Sequence, residues 1–294
     1  MPSIDGASRP EELKRGEPVA AAGQLILGDN LEVLRSLPDG QIDLVYIDPP
    51  FGTGTVRRLD SIRTGSGEGR RRGFGGREYR FEVVSRHSYL DRRGGDAQLE
   101  FLHPRLLEIH RVLATHGSLY LHLDYRVAHY ARLLLDEIFG AERFLNEIIW
   151  AYDYGGRSRD RWPRKHDTIL WYSKSDHWIF QRSEIERIPY MAPGLVGPEK
   201  AARGKLPTDT WWLTIVPTSG SERTGYPTQK PLALLDRIVR ASSREGDLVA
   251  DFFCGSGTTG AAAQALGRRY LLVDDNPEAI AIASRRLGQP PSPR

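Results

Sequence analysis

The segment DLVADFFCGSGTTGAAAQALGRRYLLVD, residues 247–274, decides the fold of this chain. An apolar run predicts a buried strand, a glycine-rich turn leads into a helix, and a second apolar run stops at an acid. Strand, glycine turn, helix and strand in this order make a nucleotide-binding βαβ unit of a parallel sheet. Gly255 and Gly257 lack a β-carbon, so we expect a ligand to lie against this backbone, beside the amide groups that begin the helix.

The acid at the end of the second strand predicts a ribose contact. Asp274 follows Gly255 by 19 residues, the spacing at which a carboxylate accepts hydrogen bonds from both ribose hydroxyls. Asp275 comes next, but strand alternation with Val273 inward favours Asp274. The turn has neither the G-x-G-x-x-G pyrophosphate signature nor the G-K-[ST] ending of a P-loop. S-adenosylmethionine, which has a ribose and an amino-acid end but no phosphate, therefore suits it better than a dinucleotide.

The partner strands of this unit are expected in the N-terminal half. A parallel sheet is buried on both faces, and the βαβ unit ends near residue 287 with only a short proline-containing tail after it. The runs QLILGD (24–29) and QIDLVYID (41–48) end in Asp29 and Asp48. We therefore predict an α/β fold with a mostly parallel sheet, in which the cofactor half follows the catalytic half in sequence but adjoins it in space.

Periodicity also predicts the organisation of the rest of the chain. Residues 117–124 and the runs NEIIWAY and HDTILWYSK predict strands, while residues 127–140 predict a helix ended by Gly140. A further helix is expected from Gln98 onward, with its first turns kinked or broken by Pro104. We expect one catalytic domain over residues 23–290. Its other parts are an N-terminal tail (1–22), a mobile Arg- and Gly-rich loop without periodicity (52–95) and a candidate target-recognition region (181–227).

The composition excludes several classes of protein. The 294 residues are 39% apolar, contain no run of 18 apolar residues and begin with nothing that resembles a signal or transit peptide. The single cysteine, Cys254, excludes an internal disulfide and a cysteine-cluster metal site. We expect a cytoplasmic protein without a metal ion and without a membrane partner.

Positive charge is concentrated in two short stretches. The net charge is only +3, yet residues 57–93 hold eleven arginines against five acids, and residues 155–165 (GGRSRDRWPRK) hold five cations against one acid. Such concentration favours a polyanionic partner, and we expect double-stranded DNA. The candidate DNA contacts are Arg57, Arg58, Arg70, Arg71, Arg72, Arg157, Arg159 and Arg161.

The stretch YIDPPFGTG, residues 46–54, predicts a site for a base that has left its stack. An exocyclic amino group is a poor nucleophile because its lone pair is delocalised into the ring. Two fixed acceptors can favour a tetrahedral nitrogen, and Asp48 offers a carboxylate while Pro49 offers a carbonyl. Two adjacent prolines make the turn stiff and poor in donors. Phe51 supplies a flat face for the base.

The order of these motifs resembles one enzyme family closely. DPPF at 48–51 followed by DFFCGSGTT at 251–259 resembles the catalytic and cofactor motifs of the beta-class DNA amino methyltransferases, and further matches span about residues 25–285. The resemblance implies a Rossmann-like methyltransferase sheet with a circularly permuted motif order and an inserted target-recognition region. It also implies methyl transfer from S-adenosylmethionine to a flipped-out base in DNA.

The resemblance assigns roles to particular residues. The catalytic set is Asp48, Pro49, Pro50 and Phe51, with Pro50 shaping the turn. Asp29 would lie near the adenine end of the cofactor, and Asp274 would take the ribose. Contacts to the methionine part would come from Asp251, Phe253, Gly255, Ser256, Gly257, Thr258 and Thr259. Its carboxylate would be held by Thr228, Gln229 and Lys230, although Lys230 could instead be a surface charge before a helix.

Several alternatives stay open at this point. Adenine N6 is the favoured target because resembling enzymes with Asp at the start of the motif mostly methylate adenine, while Ser is usual in cytosine N4 enzymes. Cytosine N4 remains an alternative, as does an inactive DNA-binding relative. A dehydrogenase that binds NAD is disfavoured by the short phosphate signature. The sequence leaves open a companion restriction endonuclease and a monomer or homodimer.

Overall fold

The computed structural model describes residues 23–50, 56–72, 78–90, 95–155, 157–217 and 219–292. The strands in these residues are β1 (Gln24–Leu27), β2 (Ile42–Ile47), β3 (Val56–Arg72), β4 (Glu78–Leu90), β5 (Leu113–Leu123), β6 (Phe144–Ala151), β7 (His166–Ser173), β8 (Thr210–Trp212), β9 (Leu248–Asp251) and β10 (Arg269–Asp274). The helices are α1 (Asn30–Ser36), α2 (Gly95–Val112), α3 (Ala128–Phe139), α4 (Pro198–Arg203), α5 (Leu232–Ser242), α6 (Thr258–Ala265) and α7 (Pro277–Leu287).

The main sheet has eight strands in the order β1, β10, β9, β2, β5, β7, β6, β8. The first five are parallel to one another, β7 is antiparallel to β5 and to β6, and β8 is parallel to β6. The prediction of an α/β fold with a mostly parallel sheet is confirmed. So is the joining of the two halves, because β1 pairs with β10 and β2 pairs with β9.

Helices cover both faces of this sheet, as a parallel sheet requires. Buried residues of α1, α2 and α3 pack on one face, around Leu34, Leu106 and Leu135. Buried residues of α5, α6 and α7 pack on the other, around Ile238 and Ala263. None of the helices in the described residues is long and apolar enough to span a membrane.

Two predictions about local structure are wrong in part. Helix α2 runs without interruption through Pro104, so it is not broken there, while a kink at Pro104 stays a prediction. A proline removes one backbone donor from a helix, and here the buried residues Leu102, Leu106 and Ile109 anchor the same helix to the core.

The segment 52–95 is not irregular where the structure describes it. Strands β3 and β4 pair antiparallel, from Val56 opposite Leu90 to Arg72 opposite Glu78. Alternating Tyr79, Phe81 and Val83 in EYRFEV is the strand signal, which the density of arginine and glycine concealed. The mobility of this segment stays a prediction.

The topology brings four acids to one edge of the sheet. Asp251 and Asp274 end β9 and β10, Asp48 follows β2, and Asp29 follows β1 by two residues. In open α/β sheets, ligands bind at the carboxyl ends of the parallel strands. The candidate site therefore lies above β1, β10, β9 and β2.

Candidate active site

Asp48 stands at the end of β2 with an ion-pair partner from another part of the chain. Lys230, two residues before α5, contacts Oδ2 of Asp48 through its ammonium group. Both side chains are mostly buried, with 16% of Asp48 and 12% of Lys230 exposed. The other oxygen, Oδ1, is buried and has no hydrogen-bond partner among the described residues. A buried acceptor without a donor lowers the stability of the folded protein. Oδ1 is therefore the atom of this site that is available to accept a hydrogen bond from a substrate N–H.

The turn after Asp48 is fixed from the opposite side by helix α2. The carbonyl of Pro50 accepts a hydrogen bond from the side chain of Gln98, which is fully buried. Pro49 is buried and Pro50 is exposed. The turn therefore has little freedom, since two prolines restrict its dihedral angles and a buried amide holds its end. Phe51, the fourth member of the predicted catalytic set, lies outside the described residues.

A buried hydrogen-bond network begins at Tyr46, two residues before Asp48. The carboxylate of Asp48 is close enough to act on the pKa of the Tyr46 hydroxyl. The Tyr46 hydroxyl lies 2.8 Å from Nδ1 of His122, and Nε2 of His122 lies 3.2 Å from Oδ2 of Asp167. The hydroxyl of Tyr152 donates to Oδ1 of Asp167 at 3.2 Å. The network thus connects β2, β5 and β7 to the residue that follows β6.

The charges around this network indicate which groups hold protons and which accept hydrogen bonds. Burial and then the carboxylates of Asp48, Asp251 and Asp167 raise the pKa of Tyr46 well above its ordinary value, so its hydroxyl keeps the proton. Burial opposes ionisation of Asp167, but the hydrogen bond and charge of His122 hold the pKa of Asp167 below its ordinary value. Asp167 therefore accepts from Nε2 of His122, and the Tyr46 hydroxyl forms the hydrogen bond at Nδ1.

Asp251 is buried at the end of β9 with only neutral donors. Its Oδ1 accepts from the Phe253 amide at 3.0 Å, and its Oδ2 accepts from the Thr259 hydroxyl at 2.5 Å. Burial raises the pKa of Asp251 to about 7, with smaller contributions from Asp48 and Asp274, while the two hydrogen bonds oppose the rise. A carboxylate held in this way favours a cationic ligand, which would stabilise its charged form.

Asp274 has a second task that the sequence did not indicate. Its Oδ2 accepts from the Gly255 amide at 2.8 Å, and its Oδ1 accepts from the Asn276 amide at 3.0 Å. The carboxylate therefore ties the glycine turn to the start of α7. Burial raises its pKa to about 6. Asp275 is exposed, and the choice of Asp274 as the ribose ligand stays a prediction.

The glycines of the turn are required for packing rather than for ligand access alone. Gly257 has a φ of +73°, and a β-carbon there would lie 2.8 Å from Cβ of Ala283 in α7. Gly255 has a φ of +49°, and a β-carbon there would lie 3.0 Å from the ring of Tyr226. Protein atoms therefore occupy the space beside both α-carbons, and the contact of a ligand with this backbone stays a prediction.

Asp29 caps a helix and is held by a buried arginine. Its Oδ1 accepts from the amides of Leu31 and Glu32 at 2.8 and 3.1 Å, at the start of α1. Arg105 lies 3.3 Å from Asp29 Oδ2 and donates to Oδ1 of Asn30 at 2.6 Å. These contacts fix the loop between β1 and α1. The position of Asp29 near the cofactor adenine stays a prediction.

The residues predicted to hold the cofactor carboxylate lie in one connection but face different partners. Gln229 accepts from the amide and hydroxyl of Thr224 at 2.8 Å and donates to the Glu222 carbonyl at 2.7 Å. It therefore closes the loop before α5. Thr228 is partly buried. Lys230 contacts Asp48, so the alternative that it is a surface charge is wrong.

Comparison with known proteins shows the family of this chain. A family model described as DNA methylase matches residues 42–285. The chain belongs to the DNA methylase family. This methylase is 31% identical over 265 residues to the type II methyltransferase M.HpaI of Haemophilus parainfluenzae, covering 90% of the chain and 74% of the relative. It is 29% identical over 275 residues to the DNA adenine methyltransferase YhdJ of Escherichia coli, covering 90% and 83%.

Solved structures agree with this assignment at the level of the fold. The methylase resembles the cytosine-N4-specific PvuII DNA methyltransferase with a TM-score of 0.63 and 19% identity, over 95% of this chain and 90% of the other. It resembles the M1.HpyAVI complex with S-adenosylmethionine with a TM-score of 0.56 and 21% identity, over 90% and 98%. The chain is thus an S-adenosylmethionine-dependent DNA methyltransferase of the N6/N4 amino-methylase group.

The residues of the methylase fit this cofactor. Asp251, which is buried, and Asp274, which is partly buried, each have neutral donors and a raised pKa, and they suit a ligand that carries a sulfonium charge and a ribose. Ser256, Thr258 and Thr259 are buried along the turn beside them. No group of three or more metal-ligating side chains occurs among the residues that the structure describes.

The predicted DNA contacts fall into two groups. Arg157, Arg159 and Arg161 are exposed in the connection between β6 and β7, with Arg161 paired to Asp160 at 2.6 Å. Arg57, Arg58, Arg70, Arg71 and Arg72 belong to β3, and their side chains lie outside the description.

Four residues of the site were missed by sequence reasoning. Gln98, Arg105, His122 and Asp167 hold the turn, the loop after β1 and the network beside Asp48. Gln98 and His122 carried a signal that could have been read. His122 is a polar residue in an apolar strand, and Gln98 stands at helical spacing with Leu102 and Leu106; polar residues at such positions are commonly hydrogen-bonded when buried.

Proposed function

We propose that this methylase transfers a methyl group from S-adenosylmethionine to N6 of a flipped-out adenine in double-stranded DNA, at a specific site. The observation that carries the proposal is the buried Oδ1 of Asp48, which lacks a partner among the described residues at the edge where β2 adjoins β9. An exocyclic amino group would supply the missing donor. Adenine is favoured because the motif begins with Asp and because the relative YhdJ is a DNA adenine methyltransferase.

In this proposal Asp48 and the carbonyl of Pro49 accept the two N–H bonds of the target amino group. Acceptors on both hydrogens draw the nitrogen lone pair out of conjugation, so it can attack a methyl carbon. Lys230 holds Oδ2 of Asp48 and compensates its charge, which leaves Oδ1 as the acceptor. Because the turn is fixed by two prolines and Gln98, these acceptors are positioned before the base arrives.

The cofactor would supply an activated methyl group on a sulfonium, whose departure leaves a neutral thioether. On the protein, Asp274 would accept from the ribose hydroxyls and Asp251 would compensate the positive charge. Phe253, Gly255, Ser256, Gly257, Thr258 and Thr259 would surround the methionine part, with Asp29 near the adenine end and Thr228, Gln229 and Lys230 near the carboxylate. No metal ion is needed in this scheme, since the leaving group departs neutral.

The transfer replaces one N–H bond by an N–CH₃ bond and releases one proton, which Asp48 is positioned to accept. The network through Tyr46, His122 and Asp167 lies next to Asp48 along the chain and in space. Tyr46 keeps its proton, so it adds no negative charge beside the base. Preorganised groups of this kind stabilise a transition state without reorganising during the reaction.

Sequencing of genomic DNA from a methylation-deficient host that expresses the chain would test the proposal, because it detects modified bases and their sites together. We expect N6-methyladenine at one sequence motif. The Asp48→Ala variant should lose methyl transfer by about a hundredfold or more, the usual effect of removing one positioned acceptor. Asp275→Ala, an exposed acid of the same edge, is the matched control. N4-methylcytosine would replace the adenine assignment, and no modified base would refute the proposal.

A further inference from the structure

One tryptophan of the connection between β6 and β7 is almost completely exposed. Trp162 has 92% of its surface exposed, whereas Trp150, Trp171 and Trp211 are buried in the core. It lies in residues 155–165, the segment that we call the basic connection. A large aromatic side chain that stays in water contributes nothing to the core, so it is available to a partner.

The basic connection is a short protrusion with a fixed base. The Tyr152 amide donates to the Lys165 carbonyl at 2.8 Å, and Nζ of Lys165 donates to the Gly155 carbonyl at 3.2 Å. The guanidinium of Arg164 lies 4.0 Å from the ring centre of Tyr125, which follows β5. Trp162 therefore lies in a connection whose ends are held by these contacts.

The sheet register places this protrusion beside the catalytic turn. Ile47 pairs with Leu121, so Asp48 stands level with His122, and Leu123 pairs with Thr168 at the start of β7. Adjacent strands are about 4.8 Å apart, so β7 lies about 10 Å from β2 and β6 about 14 Å from it. The basic connection joins β6 to β7 above this same edge. The connection that carries Trp162 therefore leaves the sheet about 10 to 14 Å from the strand that precedes Asp48.

The surroundings of Trp162 suit DNA rather than an apolar partner. Residues 155–165 carry five cations and one acid, and aromatic side chains are exposed beside them at the ends of β6 and β8: Tyr154 (61%) and Trp212 (74%). Cations can replace counterions on phosphates, and an indole can stack on any base. An apolar protein surface would leave these charges without compensation.

We propose that Trp162 enters the base stack at the position vacated by the flipped target and stacks beside its unpaired partner base. This inference rests on the proposed function, because it requires that a base be flipped into the site at Asp48. Flipping costs the stacking and pairing of one base, and an inserted side chain recovers part of the stacking. Trp162 then lowers the cost of extrusion, and Arg157, Arg159 and Arg161 hold the flanking phosphates.

The test compares a paired target with one that is already unpaired. Duplexes carry the modified site found by genomic sequencing, with the target base either paired normally or opposite an abasic position. Trp162→Ala should lower kcat/KM on the paired duplex by about tenfold to a hundredfold, the loss of one stacking contact. On the duplex with the abasic position the loss should shrink to about twofold, and Trp162→Phe should retain most activity on both.

Controls separate insertion from other roles. Trp178→Ala removes an exposed tryptophan that follows the opposite end of β7, and it should leave both duplexes unaffected. A target replaced by 2-aminopurine should brighten on binding to the wild type and brighten less with Trp162→Ala. Thermal unfolding of Trp162→Ala should match the wild type because the side chain is exposed.

Each outcome is decisive. An equal loss on the two duplexes would show an ordinary DNA contact and overturn the insertion, as would unchanged activity on the paired duplex. If the wild type methylates neither duplex nor genomic DNA, the proposed function itself fails. The two failures are therefore distinguishable.

Discussion

Replacing Asp251 by Asn should change the pH dependence of stability in a way that can be calculated from its environment. The Asp251 carboxyl group is buried and its pKa is raised from 3.8 to about 7. The folded protein therefore keeps a proton that the unfolded chain gives up near pH 4. Between these two values unfolding releases a proton, so the free energy of unfolding falls as the pH rises, and this contribution becomes constant above pH 7.

The magnitude follows from the width of that interval. Each pH unit corresponds to about 1.4 kcal/mol, so the wild type should lose about 2–3 kcal/mol through this group between pH 5 and pH 7. An asparagine side chain does not titrate. Its side-chain amide would replace the carboxylate as the hydrogen-bond partner of Thr259. The change in unfolding free energy from this replacement does not depend on pH. The unfolding free energy of Asp251→Asn relative to wild type should therefore rise by about 2–3 kcal/mol from pH 5 to pH 8.

Urea denaturation followed by tryptophan fluorescence, at pH 5, 6, 7 and 8 without cofactor, measures this difference. Asp275→Asn removes an exposed carboxylate of the same edge and controls for the loss of one charge. Parallel pH profiles of Asp251→Asn and wild type would refute the reasoning, because they would mean that Asp251 ionises normally despite its burial. In the same variant we expect loss of cofactor binding, since the compensating charge is gone.

Gly257→Ala should lower the free energy of unfolding by about 1–3 kcal/mol. The new methyl group would collide with Ala283, and the φ of +73° at residue 257 disfavours a side chain. Thermal or urea unfolding measures this, and an unchanged stability would contradict it. Asp274→Ala should raise the cofactor dissociation constant about tenfold to a hundredfold in calorimetric titration, and an affinity equal to that of the wild type would exclude the ribose role. A chelator should leave the turnover of the wild type unchanged. Replacing Arg70, Arg71 and Arg72 by Gln should weaken DNA binding and flatten its salt dependence, and an unchanged salt slope would show that they do not meet phosphates.

The sequence alone determined the central sheet and the order of its halves. The run from Asp247 to Asp274 has the apolar pattern, glycine turn and terminal acid of a βαβ unit, and these signals are local. The same holds for the catalytic turn at Asp48, because two adjacent prolines fix a backbone whatever surrounds them. The helix from Gln98 onward was predicted, but its continuity through Pro104 and the ribbon of β3 and β4 were not, because packing and pairing with distant residues override local preference.

Only the tertiary structure decided how the site is held and charged. Lys230 reaches Asp48 across 182 residues of sequence, and Arg105 reaches Asn30 across 75. His122 joins Tyr46 to Asp167 because three strands lie side by side, and Gly257 is needed because α7 packs against it. Burial, which raises the pKa values of Asp251 and Asp274, comes from helices and strands that the local sequence does not specify. Local sequence sets backbone geometry and residue chemistry, whereas partners, burial and charge depend on which distant segments the fold brings together.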